Sequence, residues 1–272
     1  MRTKCFYLLT AMLAFSGSQL VLHDIKPTAT VAVSATVAGA NISAAAAVMG
    51  TVRLEGQASK GKPINMVKEP VCVKAHPAPA LTEEVVTGPD NALQNVIVYV
   101  SEGLPSSSFD PPSGPAVIDQ KACIYHPHVI ALQTNQKLRI VNSDPTSHNI
   151  HPLPRNNREW NRSQPPGMPP LEESFAREEI VIPVKCNVHP WMRSYIAVFK
   201  HPFFSVTGSN GRFDLKNLPP GNYTIAAWHE KYGTQTQQVS IAVGETKTLD
   251  FVFRARLQAA KSLRSYPGQL HS

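Results

Sequence analysis

The feature that most restricts the fold is a long succession of short β-branched runs with no convincing helical period between them. "QNVIVYV" (94–100), "HVIALQ" (128–133), "KLRIV" (137–141), "EIVIPVKC" (179–186) and "SYIAVF" (194–199) each fit a strand. "NYTIAAW" (222–228), "QQVSIAV" (237–243) and "TKTLDFVF" (246–253) repeat the pattern, and Gly, Pro or Asn separates many of them. With 24 prolines and 17% charged residues a helical bundle is a poor fit, while 42% apolar content is enough for a real core. The expectation is an all-β, loop-rich chain. "GLPSSSFDPPSGP" (103–115) reads as a domain boundary, and "NRSQPPGMPP" (161–170) as a long loop inside a domain.

The first residues have the form of an export signal. Arg2 and Lys4 make a basic start, "CFYLLTAMLAF" is an apolar stretch too short to span a bilayer, and "SGS" offers cleavage near Ser16 or Ser18. Residues 1–18 are therefore expected to be a signal peptide and the protein to be periplasmic or secreted. The uncharged stretch 27–50 is diluted by Thr, Ser, Asn and Gly. Residues 19–46 accordingly read as a flexible lead-in, with a retained membrane anchor as the alternative, and residues 255–272 as a basic tail. The formal net charge of +7 is scattered without a basic run. That argues against nucleic acid and leaves room for an acidic docking partner or an anionic surface.

Cysteine usage sharpens the reading. Cys5 lies in the signal, leaving Cys72, Cys123 and Cys186. An odd number in an exported protein suggests one disulfide and one cysteine kept for another purpose. Pairing Cys72 with Cys123 would leave Cys186 free. A competing arrangement is a zinc set of Cys72, His76, Cys123 and His126, from "CVKAH" and "CIYH".

The motif "KCNVHPWMRSY" (185–195) carries the chemistry. Ile180, Ile182 and Val184 alternate along the strand, and Cys186 shares their parity, which points its thiol to the same interior. His189 follows after three residues and Met192 after three more, a spacing that lets one loop bring S, N and a thioether to a point. Thiolate, imidazole and a weak methionine belong to a mononuclear blue-copper ligand set, which needs a second histidine. "KLRIVNSDPTSHNIHPL" (137–153) supplies two: His148, 38 residues before Cys186, and His151.

These residues carry two resemblances. "GTVRLEG" (50–56), "LQNVIVYV" (93–100) and "VTGSNGRFDLKNLPPGNYTIAAWHEKYGTQTQQVSIAVGETKTLDFVF" (206–253) resemble the carboxypeptidase regulatory-like domain, a transthyretin-like β-sandwich. Its parts would be residues 47–101 and 202–254, a discontinuous domain, with Asn210-Gly211 supplying positive φ for a hairpin. Between them, residues 115–201 resemble the cupredoxins, with C-to-H-to-M spacing most like amicyanin. The resemblance implies a cupredoxin Greek-key β-sandwich nested within the transthyretin-like one. It also implies one type 1 copper ion held by His148, Cys186, His189 and the axial Met192. Asn149 would give its backbone N–H to the thiolate. Electrons would leave by the His189 edge, flanked by Pro190 and Trp191 as a docking spot for redox partner proteins.

Several alternatives accompany these assignments. His151 could replace His148, and Met168 could compete as thioether if the loop 158–173 folds back. Pro183 implies a bulge or an edge in the strand leading to Cys186. His126 and His128 in "YHPH" fit an ordinary turn or a second metal site, His229 a sandwich edge, and His201 the join between domains. The chain has no C-x-x-C-H for haem and no close cysteine pair for a binuclear copper centre. No nucleophile–base pair or phosphate loop is apparent, so a non-enzymatic electron carrier is the expectation. A secreted carbohydrate- or protein-binding module and a copper storage or delivery protein are the alternatives.

Overall fold

The computed structural model describes residues 46–106 and 108–255. The stretch expected to be a signal peptide, nearly all of the expected lead-in and the basic tail beyond Ala255 lie outside the described residues. In chain order the strands are β1 (Ala46–Glu55), β2 (Ile97–Glu102), β3 (Ala116–Lys121), β4 (Ile124–His126), β5 (Val129–Gln133) and β6 (Leu138–Asn142). There follow β7 (His148–Pro152), β8 (Arg162–Gln164), β9 (Leu171–Glu173), β10 (Glu179–Lys185), β11 (Arg193–Phe199) and β12 (Phe204–Val206). The last are β13 (Arg212–Leu218), β14 (Gly221–His229), β15 (Gly233–Ile241), β16 (Thr246–Thr248) and β17 (Phe251–Arg254). The α-helix among the described residues, α1 (Pro70–Lys74), is a single short turn, and none is long and apolar enough to cross a membrane.

Two sandwiches share the chain. In the outer one, β1 pairs with β13, β16 and β17, and faces a sheet of order β12-β2-β14-β15. Alternating residues of both sheets meet in one core, including Val52, Leu54, Val98, Phe213, Ile225, Phe251 and Phe253. The inner sandwich stacks β5-β11-β10-β7-β8 on β4-β3-β6-β9, around Ile118, Tyr125, Leu138, Ile140, Ile182 and Ile196. Because β12 pairs directly with β2, the inner sandwich leaves and re-enters the outer one at neighbouring strands. That closeness of the two crossings is what lets one domain sit inside another. A third cluster, Ile97, Tyr99, Val129, Ala197, Phe199 and Ala226, joins the outer face of β5 and β11 to β2 and β14.

The structure departs from the sequence pattern in several places. "TKTLDFVF" divides into β16 and β17, because Leu249 and Asp250 turn out of the ladder while Asp250 accepts bonds from the backbone and hydroxyl of Thr51. The loop 158–173 contains β8 and β9. Strand β10 is not an edge, and its irregularity lies between Glu179 and Ile182, ahead of Pro183. That shift reverses the parity there: Glu179 turns inward to the backbone N–H groups of Asn156 and Asn157, and Ile180 is 39% exposed. From Ile182 onward the alternation holds, with Ile182, Val184 and Cys186 all buried. The turn at Asn210-Gly211 is not a hairpin, because β12 pairs with β2 and β13 with β1, so it carries the chain from one sheet to the other. At Gly211 φ is +65°, and a Cβ there would lie 2.5 Å from the Val52 carbonyl oxygen, so the turn needs glycine for two reasons.

His229 lies at the end of β14, an internal strand, and not on a sandwich edge. It is 1% exposed, stacks on Tyr232, and its Nδ1 accepts the Lys231 N–H at 3.1 Å. Burial, and then the neighbouring His128 and Lys231, lower its pKa from 6.5 to about 4. Between those values the unfolded chain takes up a proton that the folded chain refuses, so stability falls as the pH drops from about 6.5 towards 4. The expected loss is up to about 3 kcal/mol. Urea unfolding across that range should show it, and His229→Gln should remove that part of the slope.

Candidate metal centre

Strands β7 and β10 bring the donors together. His148 opens β7, Cys186 lies one residue beyond β10, and β7 and β10 pair through Pro152–Val184 and His151–Lys185. After Cys186 the chain turns back on itself: Met192 N–H donates to the His189 carbonyl at 2.9 Å, and Cys186 N–H to the Met192 carbonyl at 3.3 Å. This closed loop directs His189 and Met192 to the side where Cys186 lies. One ligand atom each from His148, Cys186 and His189 falls within 4.8 Å of the others, and all three residues are buried. The two Nδ1 atoms are 2.9 Å apart, and Cys186 Sγ is 4.0 Å from His189 Nδ1. Met192 is buried in the same core cluster as Cys186.

Hydrogen bonds prepare each donor. Burial alone would push the Cys186 thiol up, but His148 and the backbone N–H groups of Asn149, His189 and Val188 outweigh it and lower its pKa. The Asn149 backbone thus faces the sulfur, while its side-chain Oδ1 lies 3.4 Å from Sγ and accepts the Asn187 N–H at 2.7 Å. Burial opposes a charge on His148 as well, yet the Asp144 carboxylate raises its pKa. Asp144 Oδ2 accepts from His148 Nε2 at 2.8 Å, and the carboxylate also takes the Ala122 and Cys123 N–H groups at 2.6 and 2.7 Å. Burial would raise Asp144, but these three donors hold it below its ordinary value. With its proton fixed on Nε2, His148 turns the Nδ1 lone pair towards His189. His189 is held below the usual histidine range by burial and then by His148. Two ring nitrogens facing each other across 2.9 Å need a proton or a cation between them. A thiol below its normal pKa, two imidazoles and a buried thioether resemble the donor set of a type 1 copper site.

The far edge of His189 departs from expectation. The ring is 0% exposed. Its Nε2 lies 3.7 Å from Cys72 Sγ and 4.0 Å from a Glu69 carboxylate oxygen. Both residues come from the long connection between β1 and β2, which crosses from the outer sandwich onto the inner one. Cys72 is bonded there to Cys123, with S–S 2.02 Å, and Cys186 is the free cysteine among the described residues. Trp191, half-buried, lies tilted against His189 with ring centroids 5.1 Å apart and donates its Nε1–H to the Cys123 carbonyl at 3.0 Å. Pro190 is exposed, but the Pro190–Trp191 side does not open onto the imidazole. Nothing in the motif around His189 signals this cover, and the role of Asp144 is readable only from its position four residues before His148 in "SDPTSH".

The remaining candidates are engaged elsewhere. His151 Nε2 bonds Glu159 at 2.6 Å, and Met168 is exposed. His76 bonds the Ala122 carbonyl, His126 is exposed, and the disulfide removes both cysteines from any four-ligand zinc set. His128 ties the two sandwiches together by bonding Glu230, with Glu83 at 3.8 Å, and His201 stacks between Phe199 and Phe203 near the crossing.

Residues 198–254 match the carboxypeptidase regulatory-like domain. No curated protein matches the chain. Among solved structures, the chain is similar to a novel purple cupredoxin from Nitrosopumilus maritimus, at 23% identity and TM-score 0.27, over 30% of this chain and 98% of that one. It is similar to a Cu(I) methionine-to-alanine variant of amicyanin, at 17% identity and TM-score 0.28, over 36% and 99% of the two chains. It is also similar to a Cu-containing nitrite reductase (NirK) from Thermus scotoductus SA-01, at 13% identity and TM-score 0.31, where the match covers 37% of this chain and 26% of the reductase. The family match thus falls on strands of the outer sandwich, and the inner β-sandwich is inserted between β2 and β12 of that outer one.

Proposed function

We propose that this is an exported electron-transfer protein with one type 1 copper ion, and that it carries out no chemistry on a substrate. The observation that carries the reading is the buried convergence of His148, Cys186 and His189, with Met192 in the same core and the thiol shifted towards thiolate. Bound there, copper would supply a one-electron Cu(I)/Cu(II) couple. Cys186, His148 and His189 would be its strong ligands and Met192 its weak axial one. Asp144 keeps the His148 proton on Nε2, and the N–H groups of Asn149, Val188 and His189 hold charge on Cys186. Burial of all four side chains keeps water from the ligands and limits rearrangement between oxidation states. A disulfide fits the oxidising compartment that export implies.

Loading purified protein with Cu(II) should give a strong charge-transfer band near ~600 nm. Cys186→Ala should abolish it, and colour retained in that variant would refute the ligand assignment. Reversible bleaching by a one-electron reductant is expected; a blue protein that does not cycle would instead be a store or carrier of copper. Asp144→Ala releases the His148 ring and should weaken copper affinity by about 10- to 100-fold, measured by competition with a chelator of known affinity.

A further inference from the structure

We infer that the redox partner docks not over His189 but in a groove beside Cys186, and that its contacting face is acidic. The inference rests on the electron-transfer reading above. Three observations lead to it. First, the His189 edge is closed by Cys72, Glu69 and the disulfide to Cys123, so a partner cannot reach that imidazole without displacing the cover. Second, a groove of about 540 Å³ opens on the outer face of β10 and β11, and Cys186 itself forms part of its wall, with Pro183, Pro190 and Tyr195. Cys72, Cys123 and His189 do not line it. A partner seated there would touch the residue that carries the thiol.

Third, the rim of the groove is charged in a way that folding does not explain. Lys185 and Arg193 are direct cross-strand partners on β10 and β11, and both are exposed. Like charges directly opposite each other on one face are destabilising. Neither residue has an ion pair among the described residues. The third member of that row, His151, sits opposite Lys185 on β7 and is already bonded to Glu159. Glu230, near Tyr195, is taken up by His128. Arg193 shares a cleft with Glu83, Glu84 and Glu230, but His128 and Lys231 engage those carboxylates. Lys185 and Arg193, next to Cys186 and Met192 in sequence, are therefore the cations that an acidic partner surface would pair with. Such complementarity acts mainly on association rate and weakens with salt.

The test uses full-length, copper-loaded protein and two inorganic probes in stopped-flow: anionic hexacyanoferrate(II) as electron donor and cationic tris(phenanthroline)cobalt(III) as acceptor. The Lys185→Glu/Arg193→Glu double variant keeps a like-charged pair, so its stability should stay near that of the parent. It should keep the blue band, react at least about tenfold more slowly with hexacyanoferrate at low ionic strength, and react faster with the cobalt complex. The difference should shrink as salt is added. An intact blue band with unchanged rates would overturn the docking site and leave the copper reading standing. Rates that respond instead to Glu69→Lys would also overturn it, placing the port at the cover. Loss of binding to phosphatidylserine vesicles with unchanged rates would overturn it in favour of a membrane surface. Absence of the blue band from the parent protein would overturn both readings together.

Discussion

The buried carboxylate of Asp144 is the constraint on which the centre depends. Its oxygens take three donors: His148 Nε2 and the backbone N–H groups of Ala122 and Cys123. Those two residues form the turn between β3 and β4, and both have φ near +54°, a conformation that asparagine and glycine ordinarily supply in a two-residue hairpin. Alanine and cysteine are strained there, and Asp144 holds the turn by bonding both of its amides. The same turn places Cys123 for its bond to Cys72, and so positions the cover over His189. One side chain therefore sets the tautomer of His148, stabilises a strained turn and anchors the shield of the His189 imidazole.

Much of the architecture was legible in the sequence because it depends on period-two alternation. Each of the eight β-branched runs contributes to a strand, with the last divided between β16 and β17, and the candidates His148, Cys186 and His189 do converge. What was hidden depended on polar or non-local contacts. Strands β8 and β9 are three residues each and mostly polar, so no apolar rhythm announced them. The inward turn of Glu179 is dictated by backbone amides of Asn156 and Asn157, more than twenty residues away. The burial of His189 was invisible because its cover comes from a different domain. The motif "NVHPWM" gives no hint of what lies above it. Asp144 looked like a turn residue in "NSDPTS", and only the fold shows its carboxylate beneath His148.

The nested arrangement also explains why the two sandwiches are held firmly. The outer face of β5 and β11 contributes Val129, Ala197 and Phe199 to an apolar seam with Ile97, Tyr99 and Ala226. His128 and Glu230 add a polar tie at one end of it. The part of that sheet left exposed, where the end of β10 meets the start of β11 at Lys185 and Arg193, is the part next to Cys186. Packing thus determines which stretch of the sheet remains free.

The Cys72–Cys123 bond has one more consequence. Cys72 belongs to the host domain's connection and Cys123 to the guest, so sulfur links the halves at a third place beyond the two peptide crossings. A protease that cut the first crossing, which lies between Cys72 and Cys123 in sequence, would leave two pieces still joined through sulfur. The nicked molecule would keep its mass and its sealed ligand ring until a thiol reagent parted the pieces.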